Sequence, residues 1–123
     1  MTNIQKRIKR KNNVLQHLVE TLLSHSEEKE APVWETVATY LSRPTRLRPE
    51  KNIRELDKEG NEDEILLVPG KVLGVGRTKK SLTVVAYKFS KTAKKHLEKN
   101  GKTMTIQEAL EKHSEGKNMR ILA

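Results

Sequence analysis

The spacing of the apolar residues changes between residues 41 and 65 of this chain, and the change limits how the chain can fold. Between Val14 and Leu41 apolar residues recur every three or four positions, which is the period of an amphipathic helix. From Ile65 to Phe89 they occur in short runs rich in β-branched residues, which are typical of strands. Because the chain contains both helical stripes and strand-like runs, we expect an α/β protein.

Local signals predict where the elements begin and end. Asn12 or Asn13 can cap a first helix. Pro32 suits the first turn of a second helix, which Pro44 stops. The first helix is predicted to end at Ser24–Ser26, and an extended exposed segment is predicted between Pro44 and Pro49. A short strand or turn is predicted at Asn52–Leu56, and strands are predicted at Ile65–Val68, Lys71–Val75, Leu82–Phe89 and, last, Met119–Leu122. A helix capped by Ser90 is predicted over Lys91–Asn100, and a Thr105–Glu108 capping box opens another helix.

One hydrophobic core is expected to join the helices to the strands. Each buried member contributes roughly 1.5–3 kcal/mol. The predicted members are Val14, Leu18, Leu22, Val37, Leu41, Leu67, Val72, Val84, Ala86 and Leu97. At 123 residues the chain has the size of one ordinary domain, so residues 14–123 are expected to form a single domain after a basic arm at residues 1–13.

Charge occurs in blocks along the chain. In total, 25 lysines and arginines oppose 16 aspartates and glutamates, which gives a formal net charge of +9. Residues 1–13 contain five basic groups and no acidic group, and residues 70–104 contain ten basic groups against Glu98. Residues 14–42 instead contain five glutamates and one lysine. Basic blocks favour a polyanionic partner, because lysines and arginines release counterions from the phosphates that they meet.

Several classes of protein are not supported by the sequence. The chain has no cysteine, which excludes disulfides, thiolate metal sites and cysteine nucleophiles and is typical of a reducing cytosol. The aliphatic run Ile65–Val68 is far shorter than the roughly 18 residues of a membrane span. We therefore expect an intracellular, soluble protein with no membrane partner.

The glycines between Gly70 and Gly76 suggest a nucleotide site, but their spacing does not fit one. A phosphate-binding loop needs a glycine where Ile65 stands, and a dinucleotide fingerprint needs a third glycine where Lys79 stands. These glycines are instead predicted to permit a bulge or a close backbone approach. We expect no cofactor and no small-molecule substrate.

Residues that could support metal binding or catalysis are present without the necessary spacing. No two of the four histidines stand at a spacing that suits one metal ion. The acidic residues over 57–64 are predicted to form a solvated loop with no apolar neighbour to raise a pKa. We expect neither a metal site nor enzymatic activity. A small enzyme is the weaker alternative, and a deep pocket with shifted titratable groups would be its signature.

The cations themselves are the best candidates for a functional site. Arginine binds phosphate oxygens in pairs, and four aromatic residues are too few for a base-stacking platform, so recognition of folded RNA by backbone and shape is favoured. The candidate RNA contacts are Lys6, Arg7, Lys9, Arg10 and Lys11 in the arm, Arg43, Arg46, Arg48, Lys51 and Arg54 in the next basic segment, and Lys71, Arg77, Lys79 and Lys80. Lys91, Lys94, Lys95 and Lys99 form one helical face, which is either solvated or directed at phosphates.

Two strings resemble the centre of the eighteen-e family of the archaeal and eukaryotic large ribosomal subunit, namely VPGKVLGVG at residues 68–76 and LTVVAYKFS at residues 82–90. The similarity extends to Trp34–Pro44, to TIQE at residues 105–108 and to residues 116–121, so it covers nearly the whole chain. It implies an irregular strand-strand-helix superhelical core, shared with bacterial large-subunit protein fifteen, after two N-terminal helices and a basic N-terminal arm.

The resemblance also implies a function. Such a protein is a structural constituent of the cytoplasmic large ribosomal subunit that binds and stabilises large-subunit ribosomal RNA beside neighbouring ribosomal proteins, without catalysis. One departure is that Thr45, Leu47 and Pro49 interrupt a segment that is often denser in arginine, which leaves its number of phosphate contacts open. A free-standing RNA-binding regulatory protein is the alternative, and absence from purified ribosomal subunits would favour it.

Overall fold

The computed structural model describes residues 13–44, 48–113, 116 and 118–123, with the backbone alone at residues 13 and 14. Two N-terminal helices precede a sheet of parallel strands with helices, so the predicted α/β class is confirmed. The elements are α1 Asn13–Glu28, α2 Pro32–Leu41, β1 Glu50–Asn52, α3 Ile53–Glu59, β2 Ile65–Leu73, β3 Thr83–Phe89, α4 Lys91–Asn100, β4 Lys102–Thr105, α5 Ile106–Lys112 and β5 Met119–Ile121.

Strand β2 is the centre of the sheet. It pairs with β3 along one side, and β4 pairs with the far side of β3. On the other side of β2, β5 pairs with residues 65–67 and β1 pairs with residues 71–73, so β5 and β1 lie end to end. All of these pairings are parallel, which requires crossover connections and places helices over the faces of the sheet.

Strand β2 is continuous, which corrects the prediction of two separate strands at residues 65–68 and 71–75. Pro69 and Gly70 lie inside it, and its register with β3 shifts between Val68 and Lys71. A Cβ atom on Gly70 would lie 1.9 Å from the carbonyl oxygen of Pro49, and the N–H of Lys71 donates to that same oxygen at 3.1 Å. The glycine therefore permits both an irregularity and a close backbone approach, as predicted.

Two further elements differ from the sequence prediction. Residues 53–59 form helix α3 instead of a short strand or turn, and the Glu55 carboxylate accepts the backbone N–H of Asn52 at 3.2 Å. The Asn-x-x-Glu spacing of a capping box was the signal for this helix. Strand β4 was not predicted, although Thr103 and Thr105 alternate with the buried Met104 as in a strand.

Other boundaries agree more closely with the sequence. The Ser90 hydroxyl accepts the N–H of Ala93 at 3.1 Å, and the Thr105 hydroxyl accepts the N–H of Glu108 at 3.2 Å. Both predicted caps are therefore confirmed. Helix α1 continues to Glu28, a few residues beyond its predicted end. No helix within the described ranges combines the length and apolar character needed to cross a membrane.

The buried apolar residues form two clusters, one on each face of the sheet, instead of the single predicted core. Adjacent residues of a strand point to opposite faces, so Leu67 joins the first cluster and Leu66 the second. Helices α1, α2 and α5 cover the first cluster, and α3 and α4 cover the second. Of the predicted members, Leu18, Leu22, Val37, Leu41 and Leu67 belong to the first cluster and Val72, Val84, Ala86 and Leu97 to the second, while the side chain of Val14 lies outside the described residues.

Substituting Gly70→Ala should destabilise the protein by about 1–3 kcal/mol, because the added methyl group meets the backbone of Pro49 and pushes β1 away from β2. Urea unfolding followed by circular dichroism measures the change. The control is Lys71→Ala at the exposed neighbouring position, which should change the free energy of unfolding by less than about 0.5 kcal/mol. Equal stability of the two variants would show that the approach of β1 does not depend on the glycine.

Candidate nucleic-acid interface

The connection between β2 and β3, residues 74–82, is held by the helices on either side of it; we call it the β2–β3 loop. Thr78 is 6% exposed, and its backbone N–H donates to Nε2 of His96 in α4 at 3.1 Å. Its hydroxyl donates to the carboxylate of Asp57 in α3 at 2.7 Å. Ser81 adds a bond from its N–H to the carboxylate of Glu62 at 2.8 Å. Two of the carboxylates predicted to be solvated thus bind the loop.

Lys80 takes part in this attachment. Its amino group donates to the backbone carbonyl oxygens of Asp57 and of Gly60, the latter at 3.2 Å. Those oxygens lie at the C-terminal end of α3, where carbonyl groups lack helical partners and carry partial negative charge. The predicted RNA contact Lys80 therefore has partners inside the chain.

Gly76 brings the outer part of the loop against the start of α3. Its φ is +105°, and a Cβ atom there would lie 2.6 Å from the backbone nitrogen of Arg54. The N–H of Arg54 donates to the carbonyl oxygen of Val75 at 3.1 Å. The side chain of Arg54 is exposed beside the turn, and so are those of Arg77 and Lys79.

Helix α4 continues this basic region. Gly74 of the loop approaches Thr92, where a Cβ atom would come within 2.8 Å of the threonine side chain. As predicted, Ala93 and Leu97 are buried on the opposite face of the helix from its lysines. The exposed cations on the loop, on α4 and at the start of α3 are Arg54, Arg77, Lys79, Lys91, Lys94, Lys95 and Lys99, which we call the loop–helix basic surface.

The basic segment before β1 is only partly exposed. The guanidinium of Arg43 lies 4.4 Å from the centroid of the Tyr40 ring, and that of Arg48 lies 5.6 Å from the centroid of Tyr87. Burial lowers the pKa of Arg48, and its Nε atom is buried without a hydrogen-bond partner. Because this cation has lost part of its hydration, an anion beside it would be stabilised more than at a fully solvated arginine.

Lys51 is paired within the chain. Its amino group lies 3.5 Å from the carboxylate of Glu55 and 3.8 Å from that of Glu59. Lys71 is exposed and is the register partner of Lys88 in β3, which is also exposed. Like charges on neighbouring strands repel each other, so an anion between them would be stabilised. Lys88 was not among the predicted contacts. The signal that could have identified it is its position after a run of strand residues, which it shares with Lys71.

The remaining predicted contacts lie outside the described residues: Lys6, Arg7, Lys9, Arg10 and Lys11 of the arm, and Arg46. Within the described part of the chain, no three histidine or acidic side chains are grouped so that they could hold a metal ion. The described cations thus fall into two groups, those that are exposed and those that bind other groups of the same chain. Arg54, Lys71, Arg77 and Lys79 are exposed, whereas Lys51 and Lys80 bind to the protein itself.

Comparison with known proteins gives consistent matches. The model of a family that comprises the ribosomal proteins 50S-L15 and 50S-L18e, together with a protein of the 60S subunit, matches residues 50–105, which include β1 to β4. The large ribosomal subunit protein eL18 of Methanococcus maripaludis is 37% identical and aligns over 96% of this chain and 99% of its own. That of Archaeoglobus fulgidus is 40% identical over 94% of this chain and 99% of its own.

A third relative is the large ribosomal subunit protein eL18 of Methanopyrus kandleri, which is 44% identical over 90% of this chain and 92% of its own. The resemblance to the eighteen-e family, which was based mainly on residues 68–76 and 82–90, is thus confirmed over most of the chain. This protein belongs to the family of large ribosomal subunit protein eL18.

Proposed function

We propose that this protein is a structural constituent of the cytoplasmic large ribosomal subunit, where it binds large-subunit ribosomal RNA beside neighbouring ribosomal proteins. Membership of the eL18 family supports the ribosomal role, which is not catalytic. The observation that carries the RNA-binding role is the loop–helix basic surface, in which seven exposed cations are presented by a fixed loop and by helices α3 and α4.

Rigidity of the β2–β3 loop favours this role. A flexible basic loop loses conformational freedom when it binds, and that loss lowers its affinity. Here the bonds of Thr78 to α3 and α4 have already fixed the backbone that presents Arg77 and Lys79. Those side chains can then bind phosphate oxygens with little further ordering of the backbone, and RNA is recognised by shape and backbone charge.

The other basic regions supply further contacts in this proposal. Residues 14–123 act as one RNA-binding domain, and the arm at residues 1–13 adds five cations. Arg43 and Arg48 are held by the rings of Tyr40 and Tyr87, which restricts their side chains before RNA binds. Lys71 and Lys88 provide a separate pair at the sheet.

The ribosomal role is tested by asking where the chain is found. Large subunits washed at high salt should retain it in a one-to-one ratio with other large-subunit proteins, as measured by quantitative mass spectrometry. Its absence from such subunits would instead favour the free-standing RNA-binding regulator.

The double variant Arg77→Ala, Lys79→Ala should bind a large-subunit ribosomal RNA fragment more weakly and with less salt dependence. Each lost phosphate contact should lower the slope of log affinity against log salt by about 0.7–0.9 in filter-binding titrations. Lys80→Ala is the matched control, since its amino group binds α3. That variant should keep the slope and lose about 1 kcal/mol of stability. An unchanged slope in the double variant would place the phosphate contacts elsewhere.

Deleting residues 2–11 should also weaken RNA binding and lower the salt slope, because five cations with no acidic neighbour are lost. The control keeps the length of the arm and replaces its five cations by glutamine, at Lys6, Arg7, Lys9, Arg10 and Lys11. If charge is what binds, both variants should lose the same amount in the same titration. A normal slope in the glutamine variant would contradict the role of the arm.

A further inference from the structure

Val75 in the β2–β3 loop is a large apolar side chain that the fold leaves in contact with water. It is 55% exposed, whereas the other large apolar side chains of the described residues are buried or partly buried. A lone exposed apolar residue is common on protein surfaces, so exposure alone does not indicate a function. Val75 differs from such a residue in how firmly its backbone is held and in the charges beside it.

The backbone on both sides of Val75 is packed against two helices. A Cβ atom on Gly74 would lie 2.8 Å from the side chain of Thr92 in α4, and one on Gly76 would lie 2.6 Å from the backbone nitrogen of Arg54 in α3. The carbonyl oxygen of Val75 itself accepts the N–H of Arg54 at 3.1 Å. A β-branched side chain also has few rotamers. Val75 is therefore held at the surface with little conformational freedom left to lose on binding.

Cations lie next to Val75. Arg54 contacts residues 75 and 76 through its backbone, Arg77 follows two residues later in the chain, and both side chains are exposed. The whole loop, residues 74–82, contains three basic residues and no acidic one. A second copy of this basic surface would be repelled by it, whereas a polyanion would be attracted. The charges around Val75 thus favour RNA as the partner that covers it.

An apolar group beside two arginines matches the chemistry of an RNA strand. Along each strand, charged phosphates alternate with riboses, whose carbon atoms are apolar. The minor groove of an RNA helix is wide and shallow, so riboses and base edges are accessible there to a short side chain. Arginines that bind phosphates fix the position of a protein on its nucleic acid. An apolar side chain placed between those phosphates is then removed from water.

We propose that Val75 packs against riboses and base edges in a minor groove of large-subunit ribosomal RNA, between phosphates that Arg54 and Arg77 bind. This inference rests on the RNA-binding role proposed above and adds to it a contact that is not electrostatic. Phosphate contacts determine how steeply affinity falls with salt. The contact of Val75 instead contributes equally at every salt concentration, which makes it separable from the cations.

The test compares the full chain with its Val75→Thr and Val75→Ala variants in titrations against a large-subunit ribosomal RNA fragment. Val75→Thr keeps the branching and replaces one methyl group by a hydroxyl, so affinity should fall about three- to fivefold at every salt concentration. Val75→Ala removes two methyl groups and should lower affinity about tenfold. The slope of log affinity against log salt should stay unchanged in both variants.

Inorganic polyphosphate is the second probe, because it has phosphates but neither ribose nor base. Its affinity should be the same for the full chain and for both variants of Val75. The matched control is Val33→Thr, which makes the same substitution at a partly exposed position of α2, on the opposite face of the sheet. That control should leave the affinities for RNA and for polyphosphate unchanged.

Several results would overturn the inference. Unchanged RNA affinity in Val75→Ala would do so and would leave the RNA-binding role standing. Equal weakening towards RNA and polyphosphate, or a lower salt slope, would show that the substitution acts through the neighbouring cations. Normal RNA affinity with loss of the variant from purified large subunits would assign Val75 to a contact with a neighbouring protein. Dimerisation of the full chain that Val75→Ala abolishes would assign it to a second copy. Failure of the unsubstituted chain to bind the fragment would overturn the RNA-binding role and this inference together.

Discussion

Burial of β2 on both of its faces is the constraint on which the rest of the molecule depends. A strand whose successive residues Leu66, Leu67 and Val68 are all fully buried cannot leave either face open to water. Helices must therefore cover both sides of the sheet, and the chain supplies α1, α2 and α5 for one side and α3 and α4 for the other. The charge of each helical layer can then differ, because the sheet separates the two layers.

The net charge of +9 overstates how much positive charge is available to a partner, because some of the cations already bind groups of the same chain. Lys80 binds the carbonyl groups at the end of α3, and Lys51 pairs with Glu55 and Glu59. These lysines hold the framework in which Arg77 and Lys79 are exposed. Neighbouring cations in the sequence thus have different physical roles, one inside the protein and one at its surface.

Local sequence patterns, such as capping residues, predicted the elements whose stabilising contacts are local. The caps at Ser90 and Thr105 involve groups three residues away, so they could be predicted from the sequence. Helix α3 was missed even though its capping pattern is equally local, because the basic segment around it indicated an extended chain. A strand of four residues such as β4 carries too short an alternation to stand out.

The division into two cores and the roles of individual cations could not be predicted in the same way. Lys79 and Lys80 have the same charge and adjacent positions, and the approach of Asp57 and Gly60, 23 and 20 residues away, distinguishes them. His96 binding to Thr78 also spans 18 residues and depends on how α4 packs beside the loop. Contacts between residues so distant in sequence are set by the tertiary fold and leave no periodic signal in the sequence.

The position of β5 has a consequence for biosynthesis. Met119–Ile121 pair with the first residues of β2, and Leu122 is buried in the second cluster. These residues are made after every other described element, so one edge of the central strand stays open while the earlier elements are already able to fold. An open strand edge with apolar neighbours is prone to pair with other chains. Until Met119–Ile121 are in place, residues 65–67 of β2 are therefore open to pairing with another chain.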